Sequence, residues 1–367
     1  MKVLLDIHPS IEEKSGIGRY CDNLARTLIK KENLKLSFYS NLAKAKLPSF
    51  YKEGTIFSFP IKHGLVRTLF GLNYAIKRLN PDILHATTLS PFVKKVPTVL
   101  TLHDLCFRSH KEAYELKTKL AFSLFLRRSL TNADQIIVPS TAVKKQLVRL
   151  FPEVLTKVNV VHEGADASFG FIKNRSLVKK ELAFRFDIDR PYFLVVGNIE
   201  KRKRPFEIIK AFKKFLKTHK DHLLIFAGAD KLGGSVKKRF KNFIKKGQLK
   251  LVDYVSDEDL NLLYNGALAS IFFSICEGFG LPVLESMVCG TPVICREMPV
   301  LREVGAEAAI FCENDKELYL AMKQISMSSS LRNKLRIEGF KRSNLFSWEK
   351  AADETIGVYR KVLRQRV

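Results

Sequence analysis

The sequence predicts an α/β protein made of two doubly wound domains, each a parallel sheet covered by helices. The chain has 367 residues, more than one hydrophobic core usually organises. Short apolar runs rich in β-branched residues alternate with longer segments of helical period, which is typical of βαβ units. This alternation occurs twice along the chain, and a polar, charged stretch at 165–190 separates the two series.

The first series contains seven apolar runs of strand length. They lie at residues 3–7, 34–39, 55–59, 83–85, 98–102, 135–138 and 159–161. Apolar residues recurring every three or four positions predict helices between them, at 18–30, 65–79, 117–130 and 141–150.

The second series repeats the pattern with six strand-like runs. They lie at 193–196, 223–227, 249–252, 269–273, 292–294 and 309–311, and the predicted helices lie at 206–216, 236–245, 257–265, 281–288 and 316–326. We expect an N-terminal domain over 1–170 and a C-terminal domain over 171–349. A basic helix at 350–367 is expected to pack back on the first domain.

The charge distribution narrows the class of partner. Lys and Arg number 63 against 37 acidic residues, and residues 1–170 already hold 26 of the bases and 14 of the acids. The excess is therefore spread along the chain, and a detachable basic tail is excluded. Such a surface favours phosphorylated small molecules or an anionic membrane face, whereas nucleic acid is disfavoured because no recognition motif accompanies the charge.

The sequence carries no clear secretory signal, membrane span or metal-binding motif. Asp6 interrupts the early apolar run, and no apolar stretch approaches the roughly 20 residues that span a bilayer. We expect a cytoplasmic protein, peripheral at most on the inner face of the cytoplasmic membrane. The six cysteines form no CxxC pair, so the spacing of a zinc site is absent.

The most informative segment is EGFGLPVLE at 277–285, directly after a predicted strand. Ligands of open parallel sheets bind beyond the carboxyl ends of strands, where this loop would lie. Gly278 and Gly280 leave backbone amides accessible, and Pro282 suits the first turn of a helix. Glu277 and Glu285 suit paired sugar hydroxyls as acceptors. The combination favours a ligand site over an ordinary helix start with solvated glutamates.

The longer segment EGFGLPVLESMVCGTPVI resembles the signature of retaining glycosyltransferases of the GT-B fold, in family four (glycosyltransferase group 1). Further segments that agree span nearly the whole chain: SGIGRYCDNLARTL, TLHDLCF, NADQIIVPST, VVGNIEKRKRP, LIFAG and VSDEDLNLLYNGA. The resemblance implies two Rossmann-like domains facing a central cleft, the N-terminal one binding the acceptor and the C-terminal one the nucleotide-sugar donor.

For the donor sugar and nucleoside, the resemblance implies roles at the glutamate motif. Glu277 would contact donor sugar hydroxyls as a catalytic residue, and Glu285 would contact the ribose hydroxyls. The backbone amides of Phe279, Gly280 and Leu281 would meet the sugar or the distal phosphate.

For the diphosphate, the basic run at 201–204 follows the expected end of a strand. Arg202 and Lys203 align with the basic pair that clamps the donor diphosphate in the family. Fixed cations there stabilise the charge that develops on the leaving group, so no divalent metal or other cofactor is expected. Asn198 stands where some relatives have arginine, which leaves the pairing of phosphate contacts open. Val255 would offer its backbone to the nucleobase.

Two further candidates lie in the first domain. Gly16 and Gly18 in SGIGR would let the backbone approach an anion at a helix N-terminus. Cys21 stands where a dinucleotide fingerprint needs glycine, so NAD is disfavoured. By resemblance this loop lies over the donor diphosphate, and His103 lies beside the donor sugar. Asp104 would orient the histidine ring or bind the acceptor.

The predicted activity is retaining transfer of a hexose to an acceptor hydroxyl in polysaccharide or lipopolysaccharide biosynthesis. The SGIGRY and HDLCF segments resemble mannosyltransferases, which makes GDP-mannose the first donor candidate and leaves UDP-hexoses and deoxysugar nucleotides open. The acceptor would be a glycan or a lipid-linked glycan, and basic amphipathic segments such as 111–128 would contact an anionic membrane. The alternatives are a nucleotide-sugar epimerase on the same fold and a non-catalytic relative that binds polyanions or membranes.

Overall fold

A computed structural model describes residues 1–8, 15–41, 47–59, 70–90, 96–106 and 125–365. The chain forms two compact units, one of Met1–Gly164 with Ser347–Val367 and one of Ala165–Phe346. The units divide after Gly164 and Phe346, whereas the sequence placed the boundaries after residues 170 and 349.

The first unit is built on a parallel sheet with the strand order β3-β2-β1-β4-β5-β6-β7 among the described residues. Its strands are β1 (Lys2–Asp6), β2 (Lys35–Ser40), β3 (Thr55–Ser58), β4 (Ile83–Ala86), β5 (Thr98–Thr101), β6 (Gln135–Val138) and β7 (Val158–Val160). The four central strands β1, β4, β5 and β6 are buried almost throughout, which explains why they read as continuous apolar runs rather than alternating ones.

The helices of the first unit include α1 (Gly16–Ile29), α2 (Leu72–Leu79) and α3 (Thr141–Leu150), and the described residues 125–132 are also helical. A C-terminal helix (Trp348–Arg364) also belongs to this unit, where it packs against α1. It begins at Ser347, whose side chain accepts a hydrogen bond from the backbone of Lys350 at 3.1 Å. Its buried residues recur with helical period along the face turned to the unit.

The second unit repeats the architecture with the parallel strand order β10-β9-β8-β11-β12-β13. Its strands are β8 (Tyr192–Val196), β9 (Leu223–Ala227), β10 (Leu249–Val252), β11 (Ala269–Phe272), β12 (Val293–Arg296) and β13 (Ala309–Cys312). Its helices are α4 (Arg175–Phe186), α5 (Pro205–Phe215), α6 (Ser235–Arg239), α7 (Lys241–Lys245), α8 (Asp257–Gly266), α9 (Leu281–Val288), α10 (Pro299–Gly305), α11 (Asp315–Met327) and α12 (Ser329–Ser343).

The predicted α/β fold class is confirmed, and each of the thirteen predicted strands is present within one or two residues of its expected bounds. The helix predictions were less accurate. The helix predicted at 236–245 is two short helices, because Phe240 leaves the helical conformation (φ −113°, ψ 25°) and stacks on Phe206. The predictions at 65–69 and 117–124 lie outside the described residues.

Three helices of the second unit, α4, α10 and α12, were not predicted. Helix α4 lies in the stretch interpreted as a linker and buries only Val178 and Leu182. Helix α12 is polar along most of its length and buries Leu335, Gly339 and Ser343. The apolar faces of α4 and α12 are too narrow to give a helical period in the sequence.

The sheet topology places one switch point in each unit. In the first, the strand order reverses between β1 and β4, and in the second between β8 and β11. Loops that leave the carboxyl ends of such neighbouring strands diverge and create a binding crevice. No helix among the described residues is both long and apolar enough to span a bilayer.

Candidate functional site

At the switch point of the second unit, two loops are tied to each other. The loop after β8 forms a single helical turn at Lys201–Lys203, and the loop after β11 contains Glu277. The backbone N–H of Ile275 donates to the carbonyl oxygen of Arg202 at 2.9 Å. The basic run and the glutamate motif, which are 75 residues apart in sequence, are therefore held side by side.

Arg202 is the centre of this junction. Its guanidinium donates to Glu277 Oε1, to Glu200 Oε2 at 2.9 Å and to the carbonyl oxygen of Cys276 at 3.1 Å. The side chains of Arg202 and Glu277 remain 23% and 15% exposed, so an incoming ligand can reach both. An anion that enters would compete with the two carboxylates for the same guanidinium.

Lys203, the next residue, contacts the end of β8. Its Nζ lies 3.3 Å from the carbonyl oxygen of Val196 and 6.0 Å from the centre of the Phe272 ring. Burial, and next the neighbouring Arg202 guanidinium, lower the pKa of Lys203. Because this cation is poorly compensated, the site favours a ligand that brings negative charge.

Gly197 makes the position of Lys203 possible. Its φ of +101° lies in the left-handed region, where side chains are strained. A Cβ added to Gly197 would lie 2.0 Å from Lys203 Nζ, so any other residue would displace the ammonium group.

The start of helix α9 presents backbone rather than side chains. Gly280 has φ +107° and precedes the helix without a side-chain cap. The side chains of Phe279 and Leu281 are buried, and the Phe279 ring packs edge-on against Phe346 at 5.7 Å. These three residues can therefore offer a ligand little beyond their backbone groups.

Glu285 lies in the second turn of the same helix and is 2% exposed. The hydroxyl of the buried Tyr264, on α8, donates to its Oε2 at 2.9 Å. Glu285 is also among the carboxylates that raise the pKa of Lys203 against the larger effect of burial.

Val255 occupies a different setting. Its side chain is partly buried and packs on the core between α4, α8 and the sheet. The next residue, Ser256, caps α8 by accepting from the backbone of Asp259 at 3.0 Å, with three acids in the first turn. The acids of this segment are thus part of a helix start.

In the first unit, the glycine-rich segment is also a helix start. Helix α1 begins at Gly16, two residues earlier than expected, and the Ser15 hydroxyl accepts the Gly18 N–H at 3.0 Å. The Gly18 amide therefore serves the helix cap. A Cβ added to Gly16 would meet nothing within 4 Å among the described residues, which do not include residues 9–14 of the same loop.

His103 follows β5 and is surrounded by three different groups. Its ring packs edge-on against Tyr20 at 4.7 Å, and its Nδ1 lies 3.8 Å from Oε1 of the buried Glu163. Its buried Nε2 has no hydrogen-bond partner among the described residues. The next residue, Asp104, accepts the N–H of Cys106 on its Oδ1 at 2.9 Å, a contact that shapes the turn after β5.

The structure also adds residues that sequence reasoning missed. Glu200 lies within the basic run and was overlooked beside its cationic neighbours, Glu163 follows β7 in VHEGAD, and Tyr264 lies in VSDEDLNLLYNGA. Only the positions of Glu163 and Glu200 just after strands gave a signal. Among the described residues, no group of three or more His, Cys, Asp or Glu side chains is arranged to hold a metal ion.

Two family models match the chain in succession. A glycosyltransferase family 4 model matches residues 14–169, and a model of glycosyl transferases group 1 matches residues 179–342. Together they cover most of both units.

Curated relatives include an O-antigen chain mannosyltransferase B from Escherichia coli, 27% identical over 98% of this chain and 100% of the relative. The O-antigen chain mannosyltransferase RfbU from Salmonella typhimurium is 27% identical over 59% of this chain and 57% of the relative.

Solved structures share the fold. A sucrose-phosphate synthase from Thermosynechococcus elongatus aligns over 100% of both chains with a TM-score of 0.78 at 18% identity. Anabaena HepE in complex with UDP-glucose covers 98% of this chain and 100% of its own, with a TM-score of 0.75 at 14% identity. WaaG, a glycosyltransferase involved in lipopolysaccharide biosynthesis, covers 96% of this chain and 98% of its own, with a TM-score of 0.75 at 12% identity.

Proposed function

The chain belongs to the group 1, family-four glycosyltransferases, and on that premise we propose that it transfers a mannosyl residue from GDP-mannose to an acceptor hydroxyl with retention at the anomeric carbon. The process would be lipopolysaccharide or other surface-polysaccharide assembly. The relatives from E. coli and Salmonella that are named O-antigen mannosyltransferases support this choice of sugar and process.

The observation that carries the proposal is the contact of Arg202 with Glu277 at the switch point, with Lys203 close by. In the proposed complex the donor diphosphate displaces the carboxylates from Arg202 and takes up both cations. Glu277 is then free to accept hydrogen bonds from the sugar hydroxyls, while Glu285 accepts them from the ribose. The backbone at Phe279, Gly280 and Leu281 borders the sugar. The backbone at Val255 borders the nucleobase.

The proposed reaction breaks the bond between the anomeric carbon and the diphosphate oxygen, and the bonding electrons remain on that oxygen. Arg202 and Lys203 stabilise this charge more strongly in the transition state than in the bound donor. The phosphate oxygen takes the acceptor's proton while the acceptor oxygen bonds to the same face of the sugar. Configuration is retained, and neither Glu277 nor His103 needs to act as a nucleophile.

We propose that this reaction runs without a divalent metal or another cofactor. Metal ions serve transferases by neutralising the diphosphate, and two fixed cations already stand at the proposed position of that group. In the first unit, we propose that His103 and Asp104 contact the acceptor and the donor sugar. The start of α1, at Gly16 and Gly18, is proposed to contact the donor phosphate. Since the Gly18 amide is capped by Ser15, Gly16 is the better placed of the two.

The acceptor is proposed to be a glycan carried on a lipid, reached at an anionic membrane surface. The segment 231–252, which contains α6 and α7, holds eight basic residues and no acidic one. The cations of these two helices are exposed to solvent, as electrostatic attraction to lipid headgroups requires. Most of the other basic segment, 111–128, lies outside the described residues.

The test combines a ligand screen with one substitution. Thermal-shift measurements with GDP, UDP, dTDP, ADP and their sugars identify the donor, because a ligand that binds only the folded state raises the melting temperature. Glu277→Gln is then expected to lower acceptor-dependent transfer at least about 100-fold with little change in melting temperature.

Glu200→Gln is the matched control, since Glu200 also contacts Arg202 but is not assigned to the sugar. It should retain transfer within severalfold of the wild type. Transfer by Glu277→Gln at the wild-type rate would remove Glu277 from the site. Donor turnover without any acceptor would favour the epimerase instead.

A further inference from the structure

The segment VSDEDLNLLYNGA contributes one side chain to the site that the proposed roles do not use. Tyr264, in the last turn of α8, is fully buried, and its hydroxyl lies 2.9 Å from Oε2 of Glu285. The same hydroxyl lies 3.4 Å from the carbonyl oxygen of Pro282, a longer and weaker contact. A phenol has one proton to donate, and the shorter contact leads to the charged acceptor.

We propose that Tyr264 is a positioning residue, which fixes the Glu285 carboxylate in the orientation that reads the ribose of the donor nucleotide. This inference rests on the proposed function, because it assumes that Glu285 contacts the ribose. The glutamate side chain has three rotatable bonds, and a lone carboxylate at this depth could turn in several ways. The hydrogen bond from Tyr264 selects one of them before the ligand arrives.

Tyr264 is itself held from two sides. Its ring meets Phe169 edge-on at 5.8 Å, and its backbone carbonyl accepts from the hydroxyl of Thr291, in the loop between α9 and β12. Helices α8 and α9 are thereby fixed relative to each other at the point where Tyr264 and Glu285 meet. A rigid donor at this place lowers the ordering cost of binding rather than adding a contact to the ligand.

A second buried hydroxyl that donates a hydrogen bond to α8 offers a matched control. Tyr192 on β8 is also buried, and its hydroxyl donates at 2.6 Å to the carbonyl oxygen of Leu263, the residue before Tyr264. Tyr192→Phe and Tyr264→Phe each delete one buried hydroxyl and one hydrogen bond at α8. A purely structural role predicts the same effect from both, whereas positioning predicts an effect on the nucleotide from Tyr264→Phe alone.

The probes are GDP and 2′-deoxy-GDP, replaced by UDP and 2′-deoxy-UDP if the ligand screen selects uridine. A carboxylate that reads the ribose makes the wild type bind GDP more tightly than the deoxy form. We expect Tyr264→Phe to weaken the binding of GDP roughly tenfold and to bring the ratio of the two affinities close to one. The donor KM should rise with kcat little changed, because the ribose contact is the same in the ground and transition states.

Calorimetric titration of the wild type, Tyr264→Phe, Tyr192→Phe, Glu285→Gln and the Tyr264→Phe/Glu285→Gln double variant decides between the outcomes. The proposal is supported if Tyr192→Phe keeps the ratio and the double variant binds no more weakly than Glu285→Gln. It is overturned, with the proposed function left intact, if Glu285→Gln binds GDP and 2′-deoxy-GDP equally well while Tyr264→Phe still prefers GDP. If Glu285→Gln keeps the ratio, the ribose role of Glu285 is wrong and the inference falls with it.

Discussion

Gly197→Ala tests the most constrained point of the proposed phosphate site. The substitution places a methyl group 2.0 Å from Lys203 Nζ at a residue with φ +101°. The left-handed conformation alone costs a residue with a Cβ about 1–2 kcal/mol. The clash adds little to this cost, because the atom that must move is the far end of a flexible side chain. We therefore expect the free energy of unfolding to fall by about 1–2 kcal/mol.

The effect on binding should be larger than the effect on stability. Once displaced, the ammonium group no longer faces the diphosphate, and a charge-assisted hydrogen bond contributes about 1.5–3 kcal/mol. GDP affinity should consequently fall by about tenfold or more. Urea denaturation measures the first effect and calorimetric titration with GDP measures the second.

Two other glycines serve as controls for Gly197. Gly233→Ala, at φ +61°, meets nothing within 4 Å among the described residues, so it should cost a similar amount of stability and leave GDP affinity unchanged. Gly228→Ala, at φ +144°, would place its Cβ 2.5 Å from the backbone carbonyl carbon of Gly197, so it should cost more stability than Gly197→Ala. If Gly197→Ala binds GDP as tightly as Gly233→Ala does, Lys203 does not bind the diphosphate.

Two further predictions concern stability. Arg204 has φ +53° and pairs with Glu207 only at the surface, so Arg204→Gly should raise the free energy of unfolding by about 0.5–1 kcal/mol in urea denaturation. A loss of stability would show that the side chain matters more than the strain. Burial lowers the pKa of His85 from 6.5 to about 3. As the pH falls below 6.5, His85 therefore becomes protonated in the unfolded chain but stays neutral in the folded protein, which destabilises the fold. Between pH 6.5 and 5.0 the titration of this residue should lower the free energy of unfolding by about 2 kcal/mol, and this loss should be absent in His85→Gln. If the free energy of unfolding falls equally with pH in the two proteins, the prediction is contradicted.

The strands were predicted well because their signal is local. A strand buried in a parallel sheet needs a short apolar run, and such a run is visible without knowledge of its neighbours. Two of the three helices that were missed, α4 and α12, bury only two or three residues each, so the sequence carries no period from which to infer them.

The site shows the same division. The glutamate motif and the basic pair were visible as residues that follow strands, and the strand order brings both to one switch point. The sequence did not show that the Gly18 amide is already used by Ser15, or that Asp104 accepts the backbone N–H of Cys106. A side chain's choice between its own turn and a distant partner depends on geometry that residue type does not reveal.

The sequence by itself determined two parallel sheets, their strands and the family of the chain, since each follows from local composition or from a contiguous motif. Only the tertiary structure decided that Arg202 is shared by Glu200 and Glu277, that Glu163 lies beside His103, and that Tyr264 holds Glu285. Apart from the local pair of Glu200 and Arg202, these are contacts between side chains on different elements or loops. They depend on how strands and helices pack in space, and no spacing along the chain encodes that.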